Sequence, residues 1–326
     1  MRKIRFCALL LCVAALCVVC ACADLPSQAH PTPPDPTPTP FTVEITIVTP
    51  APTPIPTPFS FVWISDTQIY AAKYPEAFDE TARWIADNAA AHNLIAALHV
   101  GDVVDNREKP EQWENIAPGM AAIRGAMPLY VVAGNHDVWR PVFDYTEYLS
   151  HDFCDAREPE LLYEGGQCWA QPIDAGGLKI LLLGIGWQGE ETPHFDWVET
   201  QMAAHSNHVV IILIHSFLLA DGMPTGGGER LEALFAAHPN LRLLLCGHMY
   251  GEAKWRKSYP AGHTVTALLF NLQEEHRNGE GLGYLRILTI DPATGNLSVV
   301  TYSPVLDDYN FYDDDVDSFI LEGIFR

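Results

Sequence analysis

The chain has 326 residues, 48% hydrophobic, 10% aromatic and 18% charged, a composition with room for one large domain and a sizeable buried core. Nineteen Lys and Arg stand against 41 Asp and Glu, giving a formal net charge of −22. Such a surface repels polyanions and excludes a phosphate-neutralising nucleic-acid-binding patch, although bound metal ions can reverse the field locally for a small anion.

Residues 1–23 read as an export signal: Arg2, Lys3 and Arg5 precede an unbroken apolar run from Cys7 to Ala23. Val19-Cys20-Ala21-Cys22 resembles a lipobox that would leave Cys22 lipidated. Ala21-Cys22-Ala23 also suits cleavage to a soluble product, and an uncleaved anchor is a third reading, though the run is short for a span. The first two readings imply an extracytoplasmic protein, either lipid-anchored to a bacterial cell membrane or secreted; membrane contact is then through the anchor only. Of the eight cysteines only Cys154, Cys168 and Cys246 lie beyond the leader. Cys154 and Cys168 either pair across their loop or stay thiols. Residues 24–58 form a Pro/Thr-rich linker, extended in polyproline II fashion and unable to build a core. The folded domain is expected over residues 59–326.

Within it, Phe59–Ile64 predicts a strand, Glu76–Ala91 an amphipathic helix, Leu94–Val100 a strand, Glu111–Gly125 a helix and Leu129–Ala133 a third strand. Further strands are expected at Leu178–Gly184, Val209–Ile214 and Leu241–Cys246, with helices at Thr192–Ala204 and Gly228–Ala237. This alternation indicates a parallel α/β sheet. The strands Val265–Phe270, Gly283–Ile290 and Leu297–Tyr302 lack long helices between them and predict antiparallel pairing. The acidic run Asp313-Asp314-Asp315 with Asp317 reads as a solvated loop.

Each parallel strand runs directly into polar residues. Ser65-Asp66-Thr67-Gln68 follows the first, Gly101-Asp102-Val103-Val104-Asp105-Asn106 the second and Gly134-Asn135-His136-Asp137 the third; His215 follows Ile214, and Gly247-His248 follows Cys246. Carboxyl ends of parallel strands are where open α/β sheets place ligands. Oxygen and imidazole donors of this kind suit borderline divalent ions such as Mn, Zn, Fe or Co.

The ordered set D-x-Q, G-D-x-x-D, G-N-H-D, H and G-H resembles the calcineurin-like metallophosphoesterase family over Phe59 to the C-terminus. Gly283-Tyr284-Leu285-Arg286 and Thr301-Tyr302-Ser303-Pro304 look like a secreted bacterial branch of it. The resemblance implies a four-layer α/β/β/α sandwich holding one or two divalent metal ions, and hydrolysis of phosphomono- or diesters by metal-activated hydroxide attack on phosphorus. It implies that Asp102 bridges the metals, that Asn135, His215 and His248 complete one site, and that Asp66 serves the other. His136, oriented by Asp137, would protonate the leaving group of a small phosphorylated substrate. Two positions depart from the family pattern: Gln68 and Tyr250 stand where histidines are expected, both on the Asp66 site. A catalytically weak or inactive metal- or phosphate-binding module is therefore the alternative.

Asp105 reads as a structural neighbour of the site, Gln68 as a ligand or a hydrogen-bonding residue near an ion, and Tyr250 as a pocket residue or a ligand. His99 reads as a satisfied core histidine. His194, His205, His238, His263 and His276 are expected on the surface or in loops, with His263 or His276 able to reach the cleft. Trp139, Trp187 and Trp255 are core or pocket aromatics, Arg140 is a phosphate contact or a surface ion pair, and Asn271 and Gln273 are candidate pocket residues.

Overall fold

The six residues of β1 (Phe59–Ile64) are all buried, so both faces of the strand must be covered; this is why the segment reads as an uninterrupted apolar run instead of alternating. The computed structural model describes residues 56–326 apart from 139–147, 149–150, 152–161, 164–165, 188–193, 226–227, 273–275, 278–279 and 313–314. The leader, most of the linker, Trp139, Arg140, Cys154 with its proposed pairing to Cys168, Gln273, Asp313 and Asp314 thus lie outside the described residues.

After β1 come α1 (Gln68–Lys73), α2 (Pro75–Asn88), β2 (Leu94–His99), α3 (Pro110–Ala126) and β3 (Leu129–Val131). Pro75 and Pro110 open their helices, where a missing N–H costs nothing. The next elements are β4 (Leu162–Tyr163), β5 (Cys168–Ala175), β6 (Leu178–Ile185), α4 (Phe195–Ala204), β7 (Val209–Ile214), α5 (Gly228–Ala237) and β8 (Leu241–Cys246). The chain continues through β9 (Gly251–Ser258), β10 (Thr264–Asn271), the hairpin β11 (His276–Arg277) and β12 (Glu280–Gly281), and β13 (Leu285–Asp291). It ends with β14 (Asn296–Ser303), β15 (Asp308–Tyr309) and β16 (Ser318–Leu321).

The expected parallel sheet is split in two. The first sheet runs β15-β14-β13-β1-β2-β3, with β16 also on β14; the second runs β4-β5-β6-β7-β8-β10-β9. Parallel pairing holds β1, β2 and β3 together in one and β6, β7, β8 and β10 in the other, with antiparallel strands flanking each group. Strands β13 and β14 pair antiparallel as expected, but β10, expected to do the same, lies parallel to β8 and antiparallel to β9.

Three apolar clusters separate four layers. Phe61, Trp63 and Leu98 meet Leu182, Leu213 and Leu245 between the sheets. Val62 and Ile64, on the other face of β1, pack on Phe78, Ala82 and Ile85 of α2 and on Ile116 and Met120 of α3; the positions in α2 recur at helical spacing. Leu181 and Leu183 pack on Val198 of α4 and Phe235 of α5. The architecture is the α/β/β/α sandwich.

One charged pair crosses the inter-sheet layer. Arg286 of β13 meets Glu252 of β9 at 2.9 Å, both side chains fully buried. The guanidinium also donates to Thr301 Oγ1, Leu269 O and Val316 O. Asp317, expected in a solvated loop, is fully buried beside it, while Asp315 is exposed. His194 and His263 lie in connecting segments, as expected, but not at the surface. Both are buried, His194 against Phe195, and His263 stacked on Tyr259 with its Nε2 bonded to Phe235 O. Among the described residues no helix is long and apolar enough to cross a membrane.

Candidate metal centre

The carboxyl ends of β1, β2, β3, β7 and β8 open onto one crevice, as the sequence pattern implied. His215 is at its centre. Its Nδ1 lies 2.9 Å from Val100 O; a carbonyl only accepts, so Nδ1 carries a proton, and Nε2 is the atom that offers a lone pair to a cation once the ring is neutral. Around that Nε2 stand Asn135 Oδ1 at 3.1 Å, Asp102 Oδ2 at 3.2 Å and His248 Nδ1 at 3.2 Å. The ligand atoms of Asp102, His215 and His248 all lie within 4.8 Å of one another. The structure therefore brings together four of the expected ligands: Asp102, Asn135, His215 and His248.

The other expected ligands sit around Asp102 and His248. Gln68 Nε2 donates to Asp102 Oδ2 at 3.3 Å, which puts this carboxylate between Gln68 on one side and His215 on the other. Gln68 Oε1 is buried without a hydrogen-bond partner, the condition of a donor atom suited to a cation. The Asp66 carboxyl accepts from Ser65 Oγ and from His248 N–H, at 3.0 Å for Oδ1. Tyr250 is half-buried two residues beyond His248. Asn271 Nδ2 donates to His248 O at 3.3 Å, so this pocket candidate holds a ligand's backbone.

Asp66, Asp102 and His248 have φ values of 50°, 53° and 68°, a left-handed conformation that costs a non-glycine residue on the order of 1–3 kcal/mol. Glycines make the close approach possible. A Cβ at Gly134 would collide with the Asp102 carboxyl, and one at Gly247 with the Asp66 carboxyl and Ser65 Oγ.

Electrostatics follow the crowding. Burial pushes Asp66 up to about 7, with His215 opposing and Asp102 adding to the rise. Burial also disfavours ionised Asp102, but His215 and the N–H of His136 outweigh it and hold that carboxyl below its ordinary range. Burial alone would depress His215, yet Asp102 and Asp66 hold it up to about 9. His248 is pushed down to about 4 by burial and by His215. A buried, acidic, imidazole-bearing pocket with one orphaned amide oxygen fits divalent cations.

One expected role changes. Asp137 was expected to orient His136. Instead its Oδ1 accepts from Val103 N at 2.8 Å and Val104 N at 3.2 Å, and its Oδ2 from Gly134 N at 2.8 Å. Only 1% exposed, its carboxyl group ties two ligand loops together. The ring of His136 is held by Asp105: Nδ1 donates to Asp105 O at 2.7 Å, with Asp105 Oδ1 at 3.7 Å. His136 N–H donates to Asp102 Oδ1 at 2.9 Å.

His99 is fully buried with both ring nitrogens bonded, to Gly101 N and Thr67 Oγ1, which agrees with the core reading. Trp187 places its ring 5.7 Å from that of His248 and 6.1 Å from that of His215, so it lines the site. Trp255 packs on Phe217 and Phe235 in the core. A cavity of about 390 Å³ lined by Arg107, Trp113 and His151, among others, shares no lining residue with the ligand set.

Comparison with known proteins gives consistent matches. Residues 59–251 match the calcineurin-like phosphoesterase family. An uncharacterized Bacillus subtilis protein, YvnB, is 30% identical over 266 residues, 78% of this chain; the match spans only 21% of that longer protein. A purple acid phosphatase from yellow lupin (Lupinus luteus) seeds superposes with a TM-score of 0.58 at 13% identity, covering 82% of this chain and 54% of the other. A dimetal phosphatase from Danio rerio gives 0.55 at 12% identity over 81% and 98%. GAP50, the anchor in the inner membrane complex of Plasmodium, gives 0.55 at 12% over 80% and 89%.

Proposed function

The chain belongs to the calcineurin-like phosphoesterase family, and on that premise we propose that it is an extracytoplasmic, metal-dependent hydrolase of phosphomono- or diesters. The observation that carries the reading is the convergence of Asp102, Asn135, His215 and His248 around a single point. One or two divalent ions, of the Mn, Zn, Fe or Co kind, would be held by these residues together with Asp66 and Gln68. When bound, they would supply positive charge to polarise phosphoryl oxygens and activate water.

The chain's own groups do the rest. Asp105 O fixes the proton of His136 on Nδ1, so Nε2 is the atom that can deliver a second proton to the departing oxygen. Trp187, against the two ligand histidines, screens one flank from water. Export rests on the leader: the basic n-region, the apolar run and the Cys22 motif support a lipid-anchored or secreted form.

The test is hydrolysis of aryl phosphate mono- and diesters by the full chain with each of the four metals. Metal-dependent turnover that is abolished by Asp102→Ala is expected. Inertness on every ester, or turnover indifferent to Asp102→Ala, would refute the reading. A second reading, a binding module with weak or no turnover, draws on Tyr250 at a position where the family pattern has histidine. Tyr250→His separates the two, because a gain in metal retention and rate identifies Tyr250 as the lesion.

A further inference from the structure

The loops after β1 and β2 are joined by hydrogen bonds that involve no ligand side chain. Asp66 N–H donates to Gly101 O at 3.1 Å. Gly101 N–H donates to His99 Nδ1 at 3.1 Å. With Nδ1 accepting, a neutral His99 must carry its proton on Nε2, which then donates to Thr67 Oγ1, also at 3.1 Å. The Thr67 hydroxyl proton is left to reach Val103 O at 3.1 Å. The four bonds link residues on both sides of Asp102, namely Gly101 and Val103, to Thr67, which separates Asp66 from Gln68.

We propose that Thr67 and His99 are positioning residues: a single neutral imidazole and one hydroxyl clamp the Asp66–Gln68 loop to the Asp102 loop and so set the spacing of the three ligands. The inference rests on the metal-site reading above. Its physical basis is the strain already noted. Asp66 and Asp102 both hold left-handed backbone, and such conformations persist only where neighbours over-determine them. The clamp bonds the peptide groups next to both. Thr67 and His99 are fully buried, so water does not replace a lost partner. Gly101 lies at the junction with φ 102°, and a Cβ there would press on Gly134 N at 2.7 Å and His215 Nδ1 at 2.9 Å; the clamp therefore bears on the second ligand group as well. An ordinary core histidine would stabilise the fold without setting how tightly an ion is held.

The experiment uses the full chain loaded with Co(II), following the cobalt absorption bands during titration with a chelator. Thr67→Val keeps the shape of the side chain and removes the hydroxyl; Thr67→Ser restores it. Thr67→Val is expected to release the more weakly held ion at about tenfold lower chelator, within the range for changes in groups that orient ligands, and Thr67→Ser to return close to wild type. Identical titrations for Thr67→Val and wild type overturn the clamp, as does an equal loss from every ion with no rescue by Ser. If Thr67→Val fails to fold, nitrogen NMR of the wild-type His99 ring decides: a proton on Nε2 supports the clamp, and a proton on Nδ1 overturns it. A wild-type chain that binds no Co(II) removes the metal reading itself, a result distinct from unaltered binding in the variant.

Discussion

Replacing Asp137 tests whether this residue belongs to the chemistry or to the scaffold. Its carboxyl group receives three buried backbone N–H groups, from Val103, Val104 and Gly134. Leaving a buried donor unpaired costs about 1–3 kcal/mol. Asp137→Ala orphans all three and should destabilise by roughly 3–6 kcal/mol, the lower part of the additive range because water can enter the vacated space. That is a large share of the roughly 5–15 kcal/mol typical of a folded domain. Asp137→Asn retains an oxygen for Val103 and Val104 but turns an NH2 towards Gly134 N–H, so one bond is lost and about 1–3 kcal/mol with it. Denaturant midpoints of metal-free protein measure both without interference from ligation. Wild-type stability in Asp137→Asn, combined with a collapse of kcat, would refute this account and restore Asp137 as the partner of His136.

Other consequences are open to measurement. Glu252→Gln removes one of the two carboxylates beside the buried Arg286 guanidinium, Asp317 being the other, and should cost less than the about 3–5 kcal/mol of a fully unpaired buried charge, read by thermal denaturation; Glu252→Gln combined with Asp317→Asn should cost more than either single change. Burial, aided by the nearby His215, depresses His99 to about 3. Between pH 6.5 and 3 the unfolded chain therefore binds a proton that the native state refuses. The contribution is full above the unfolded value near 6.5 and is lost as the pH falls, by up to about 1.4 kcal/mol per pH unit. His99→Gln should flatten the acid side of the stability profile, and parallel profiles would contradict the assignment.

The site was legible where chemistry lies in side chains that follow buried strands. Strands β1, β7 and β8 and helix α5 coincide with the sequence-based bounds because each is an apolar run or stripe ended abruptly by polar or glycine residues. Strand β9 was not legible: it forms the edge of its sheet, so Lys254, Arg256 and Lys257 interrupt the pattern. Strand β5 carries Pro172 and polar residues on its partly exposed half. The role of Asp137 was hidden for another reason. Its partners Val103 and Val104 are backbone amides more than thirty residues away, which leave no trace in residue identity. Residue types announce ligands; they do not announce which carboxyl holds the loops that carry them.

The place of β1 in its sheet has a practical consequence for anyone trimming this protein. The family match stops at residue 251, and every residue assigned as a metal ligand lies before that point. Yet β1, which leads into Asp66, has β2 on one side and β13 on the other, with Phe59 opposite Ile290 and Trp63 opposite Arg286. A fragment ending at 251 would keep all the ligands and lose the neighbour of the strand that delivers the first of them, while exposing a long apolar edge. During synthesis, too, the earliest strand of the domain must wait for residues 285–291 before its sheet can close. The smallest unit that can assemble this centre is set by hydrogen-bonded neighbours and reaches well past the last motif.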